Sequence, residues 1–88
     1  MKNKNPLSPK EELSALKAIY KERAEYYLRN QIDIDYYTML QITKAGNPEI
    51  LKAATAHLRE RKMTQERIVD TLKRLKKMML EVSEAKSN

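Results

Sequence analysis

From Thr64 to Val82 the chain reads TQERIVDTLKRLKKMMLEV, with large apolar residues at Ile68, Leu72, Leu75, Met79 and Val82. Steps of 4, 3, 4 and 3 residues keep these five on one stripe of an α-helix, as narrow as a coiled-coil seam. This is the longest and most regular pattern in the chain, so the remaining helices are expected to pack against it. A second periodic stretch begins at Ser8-Pro9-Lys10-Glu11. Ser8 can cap free N–H groups, Pro9 suits the first helical position, and Glu11 can reach back as in a capping box. Leu13, Leu16, Tyr20, Ala24 and Tyr27 follow on one face, widened by Ile19 and Tyr26. The first helix is therefore expected from about Pro9 to Asn30.

Between them the pattern is less regular. In Gln31–Asp35 the alternation of Ile32, Ile34 and Tyr36 with Asp33 and Asp35 has the period of a short strand. A lone strand has no partner here, so a turn is expected, capped by Asp33 or Asp35 and followed by a helix from about Asp35 to Ala45. That helix is apolar nearly all round, with Tyr36, Tyr37, Met39, Leu40 and Ile42, and is expected to be buried on most sides. Gly46, the only glycine, marks its end, where a left-handed residue often closes a helix. Asn47-Pro48-Glu49 repeats the start signal, and a third helix to about Arg61 turns Ile50 or Leu51, Ala54 and Leu58 inward. Lys62 and Met63 then form a tight corner, with Thr64 as the next cap. The expected fold is all-α: a small bundle of four helices (about 9–30, 35–45, 48–61 and 65–84) with long first and last members. Residues 1–7 read as a disordered leader, 8–84 as a single helical domain and 85–88 as a frayed tail.

Composition agrees. One Gly, three Pro, no Trp and no Phe suit helices better than a turn-rich β fold. No apolar run approaches the roughly 18–20 residues that span a bilayer. The N-terminus is basic without an apolar signal region, which makes a cytoplasmic protein the expectation. With no cysteine there are no disulfides, thiolate metal sites or thiol nucleophiles. Few large aromatics imply a modest core, and self-association as a homodimer would enlarge it.

Candidate chemistry is sparse. His57, the only histidine, begins His57-Leu58-Arg59-Glu60-Arg61. The run resembles the His-x-Leu-Lys-Gly of histidine-phosphotransfer domains, but its Leu stands one place early and the Gly is missing. A histidine at the edge of a packing face is the expectation. The basic helical format, with Arg23 and Arg29 on the first helix, is similar to that of small helical chorismate mutases, although the family's arginine pattern does not align. No set of residues matches a metal site, and one glycine excludes phosphate loops and nucleophile elbows. No enzyme and no cofactor are expected.

Two binding readings remain. Residues 58–72, LRERKMTQERIVDTL, resemble the first two helices of phage-repressor-type helix-turn-helix domains. That family next needs a turn and a recognition helix, whereas this chain continues KRLKKMML. The net charge of +6 divides into +2 over residues 1–46 (8 basic, 6 acidic) and +4 over 47–88 (10 basic, 6 acidic). Arg59, Arg61, Lys62, Arg67, Lys73, Arg74 and Lys77 are the candidate nucleic-acid contacts, for a small DNA-binding regulator gripping phosphates. The outer row Arg67, Asp70, Arg74, Lys77, Glu81, Glu84 mixes signs as a solvated face does, so this stands as the alternative. The leading expectation is a non-enzymatic regulatory or adaptor protein that binds another protein through Leu75, Met78, Met79, Leu80 and Val82.

Overall fold

The computed structural model describes residues 7–87. The first helix begins where the capping chemistry places it. The Ser8 hydroxyl accepts from the Glu11 backbone N–H at 3.2 Å, and the Glu11 carboxylate accepts from the Ser8 N–H at 3.2 Å. From this capping box α1 runs over Pro9–Thr43. The second start signal works the same way. The Asn47 side chain accepts from the Ile50 N–H at 3.2 Å, and α2 runs over Pro48–Ser87. Between the helices lies one short turn. The Lys44 N–H donates to the Leu40 carbonyl and the Asn47 N–H to the Lys44 carbonyl, each at 2.9 Å. Gly46 is not left-handed there, and a Cβ added to it would meet nothing within 4 Å. Its place in the turn rests on neither backbone strain nor close packing.

The four-helix bundle expected from the sequence is not what forms. The expected helices 9–30 and 35–45 are one helix, and so are 48–61 and 65–84. The result is an extended hairpin of two long helices, 61 × 26 × 14 Å. Neither expected break contains a helix-breaking residue. No Pro or Gly lies between Pro9 and Gly46, or between Pro48 and Ser87. At Gln31–Asp35 the strand-like alternation comes from a helix that is apolar on several faces. Gln31 Nε2 bonds Asp35 Oδ1 at 3.0 Å across one helical turn. At Lys62–Thr64 the chain simply continues as helix. Of the leader expected over 1–7, all but Leu7 lies outside the described residues, as does Asn88.

The seam between the helices uses nearly their whole length. On α2 the inward positions are Leu51, Ala54, Leu58, Arg61, Gln65, Ile68, Leu72, Leu75, Met79 and Val82, in strictly alternating steps of 3 and 4. The stripe first visible from Ile68 to Val82 thus extends back to the first turn of α2, as a heptad seam does. On α1 it faces Leu13, Leu16, Tyr20, Ala24, Tyr27, Asn30, Ile34, Tyr37 and Gln41. Burial is thin, because each helix has one neighbour. Among the described residues Leu16, Ala54, Leu58 and Leu75 are the buried hydrophobic ones, and no large side chain is fully enclosed.

Midway along, the seam turns polar. Asn30, the buried polar residue of the hairpin, donates from Nδ2 to the Arg61 carbonyl at 2.7 Å and to Gln65 Oε1 at 2.9 Å. Gln65 Nε2 in turn donates to Gln31 Oε1 at 3.2 Å and to the Tyr27 carbonyl at 3.3 Å. Arg61 Nε lies 3.7 Å from Asp33 Oδ2 at the rim. Nearer the turn, Tyr37 stacks on His57 with ring centroids 5.1 Å apart, and Gln41 Nε2 donates to Thr55 Oγ1 at 3.0 Å. A shift of one helix by a turn would break the bonds of buried Asn30 and half-buried Gln65. A bonded polar position of this kind fixes register in a seam of otherwise interchangeable apolar side chains.

Replacing Asn30 by Ala should therefore cost about 1–2 kcal/mol, because it removes two hydrogen bonds and strips Gln65 of a donor. Urea titration of both chains measures it. The Glu11 carboxyl is held below its ordinary range, first by the Ser8 backbone N–H and then by the Ser8 hydroxyl. A depressed value in the folded chain adds stability above the unfolded value, which is lost as pH falls. Helicity should thus decline on acidification through about pH 5 to 3, with Glu11→Gln declining less in that window. Far-UV circular dichroism reads both.

Candidate protein-binding face

Beyond Tyr27, α1 carries more apolar residues than one seam can cover. Ile34 and Tyr37 turn towards α2 and Leu40 is half-buried. Leu28, Ile32, Tyr36, Met39 and Ile42 are left facing solvent, at 58–73% exposure. Steps of 4, 4, 3 and 3 residues gather these five within an arc of about 120° at 100° per residue. They form a second apolar stripe on the same helix. Tyr36, Met39 and Ile42 belong to the segment, about Asp35 to Ala45, expected to be buried on most sides. A single neighbouring helix leaves it half bare.

Of the charged groups of this half of α1, Arg29 and Asp33 are engaged beside the stripe, while Asp35 lies within its arc and is bonded to Gln31 at the edge. Arg29 lies 6.0 Å from the centroid of the Tyr26 ring, which Arg23 approaches at 5.6 Å. Asp33 meets Arg61 and Asp35 meets Gln31. Tyr36 packs edge-on against Tyr37, with centroids 5.3 Å apart, which braces one margin of the stripe. Towards the N-terminus the same line carries Glu25, Lys21 and Lys17, so the apolar face stops at Leu28.

The expected site on the last helix comes out differently. Leu75 is buried in the seam, and Met79 and Val82 are half-buried there, committed to α1. Met78 and Leu80 are exposed, but two residues on a helix point about 200° apart, so they flank opposite sides of the seam. The five do not make one surface. Sequence reasoning missed the stripe on α1, although its signal was present: too many apolar faces for any one neighbour.

The basic candidates are spread as well. Arg61 is half-buried beside Asp33, while Arg59, Lys62, Arg67, Lys73, Arg74 and Lys77 are exposed. Lys62 and Lys73 border a shallow groove against Tyr27 and Ile34, but Glu66 and Asp70 border it too. His57 is exposed, with its ring lying on Tyr37. Among the described residues no group of three or more His, Asp or Glu side chains is placed to hold a metal ion. No helix among them is long and apolar enough to cross a membrane. Comparison with protein-family models, curated proteins and solved structures gives no match.

Leu75→Ala should cost about 2–4 kcal/mol, as for a buried leucine, and Leu80→Ser less than about 0.5 kcal/mol. Urea unfolding midpoints of the two chains distinguish a seam residue from a surface one.

Proposed function

We propose that this is a small non-enzymatic regulatory or adaptor protein that acts by helix-mediated binding of protein, through the Leu28–Ile42 face of α1. One observation carries the reading: five large apolar side chains in helical register, 58–73% exposed. A solvated helix face has no use for such a row. Leaving it in water forgoes the burial of roughly 1.5–3 kcal/mol per large side chain. Contiguous exposed patches of this kind are characteristic of contact surfaces. Anchors spaced by 3 and 4 residues fit a helix-on-helix contact, in which each side chain enters the space between those of a partner helix. The rest of the hairpin supports the role, since α2 packs along the opposite side of α1. Phosphate gripping by α2 is the weaker reading, because Glu66 and Asp70 interrupt Lys62 and Lys73 along the groove.

The test is capture by immobilised full-length protein from an extract of its native cells, with and without nuclease. The wild-type chain should retain protein that an Ile32→Glu, Met39→Glu chain loses, regardless of nuclease. Equal capture by both chains would exclude the α1 face. Capture abolished by nuclease would reassign the contact to nucleic acid.

A further inference from the structure

A groove of about 550 Å³ runs along one side of the seam between α1 and α2, and none of the five stripe residues of α1 lines it. We propose that this groove seats an amphipathic helix of another protein, whose edge sets acid, base, base and acid against Lys62, Glu66, Asp70 and Lys73. The contact goes beyond the α1 face and stands or falls apart from it.

The floor suits a helix. Tyr27 and Ile34 from α1 and Val69 from α2 are half-buried there, an apolar strip between two packed helices. Such a valley is where a third helix lays its own apolar stripe and adds a layer. From Lys62 to Lys73 the rim runs about 16 Å, or roughly three turns of an occupant. The two amides on the floor are already bonded at both N and O. Gln65 Nε2 donates to Gln31 Oε1 and the Tyr27 carbonyl, and Gln65 Oε1 accepts from Asn30. Gln31 Nε2 donates to Asp35. Selectivity is therefore left to the charges of the rim.

Those charges define the partner's chemistry. On the α1 side the lining is uncharged, with Tyr27, Gln31 and Ile34. On the α2 side Lys62, Glu66, Asp70 and Lys73, at steps of 4, 4 and 3, make one line with the signs plus, minus, minus, plus. All four are exposed, and among the described residues none is held in an ion pair. Glu66 and Asp70 are like charges one turn apart, a repulsion that a base set between them relieves. The complement of the line is minus, plus, plus, minus, and it reads the same in either direction along a partner helix. The same order disfavours two other occupants. A phosphate backbone brings only negative charge and meets Glu66 and Asp70 at the centre. A second copy laid in register along this line, parallel or antiparallel, sets lysine on lysine and carboxylate on carboxylate. A helix bearing both signs in the complementary order is the occupant that charge selects.

Fluorescence anisotropy with two labelled synthetic helices tests the proposal on the full-length chain. Each probe is a peptide of about 20 residues, long enough to hold a helix, with a leucine stripe at steps of 3 and 4. Along one edge of the stripe the first carries Glu, Lys, Lys, Glu and the second Lys, Glu, Glu, Lys. In about 50 mM salt the wild type should bind the first about tenfold more tightly than the second, through four edge pairs. The preference should invert in the chain Lys62→Glu, Glu66→Lys, Asp70→Lys, Lys73→Glu, and should shrink towards unity in about 1 M salt. If circular dichroism shows that this reversal disturbs the helices, Glu66→Gln, Asp70→Asn removes the central acids alone and should weaken the preference. The Ile32→Glu, Met39→Glu chain should keep the wild-type preference, which separates this groove from the α1 face. Equal affinity for the two probes, or binding of neither up to about 1 mM, would overturn the proposal. So would a preference that vanishes in the Ile32→Glu, Met39→Glu chain, which would place the probes on the α1 face. A wild type that sediments at twice 10.3 kDa and dissociates on the four-residue reversal would assign the groove to a second copy and overturn it as well.

Discussion

The seam between α1 and α2 supplies the tertiary burial in the described residues, and each helix spends one stripe of its surface on it. Two helices cannot do more. A helix buried on most sides needs at least two neighbours, and here there is one. The consequences run through the molecule: a thin core with no large side chain fully enclosed, a length of 61 Å against a thickness of 14 Å, and side chains of seam quality left in water. Register within so long a seam is a separate demand, because steps of 3 and 4 repeat and one heptad looks like the next. The Asn30–Gln65–Gln31 cluster meets that demand by giving buried polar atoms one alignment in which they are satisfied.

The outward faces of the two helices then separate by chemistry. Along α2 the exposed side is charged, with both signs interleaved, and water serves it well. Along the second half of α1 the exposed side is largely apolar, interrupted by Asp35, and the three charges of that segment contact Tyr26, Arg61 and Gln31. Apolar surface presented by a helix braced on its other side is suited to a partner helix. The protein-binding reading rests on this asymmetry. Motifs contribute little to it, since the isolated histidine stacks on Tyr37 and the repressor-like run at residues 58–72 lies within an unbroken helix.

Much of this was legible in the residues. Ser8-Pro9-Lys10-Glu11 and Asn47-Pro48-Glu49 mark both helix starts, because capping is local chemistry decided within four residues. The Ile68–Val82 stripe identifies the seam, because helical period depends only on spacing. The two false breaks have one cause between them. At Gln31–Asp35 and at Lys62–Thr64 the apolar pattern changes, and a change of pattern reads like a change of element. Asn30, Arg61 and Gln65 are polar residues placed on the seam, so hydrophobic periodicity lapses there while the helix does not. The absence of Pro and Gly was the better guide.

The sequence by itself determined that the chain is helical, where the two helices begin and the apolar part of the inward stripe of α2 from Ile68 to Val82. It also marked residues 35–45 as apolar nearly all round. Only the tertiary structure decided how many helices those residues make and which apolar face stays bare. Pairing α1 with α2 through Tyr27, Ile34 and Tyr37 commits one side of the helix, and what remains exposed is the complement of that choice. It also placed Leu75, Met79 and Val82 on the seam, Leu75 buried and the other two half-buried. Local chemistry sets a helix and its stripes, but which stripe is covered depends on residues dozens of positions away.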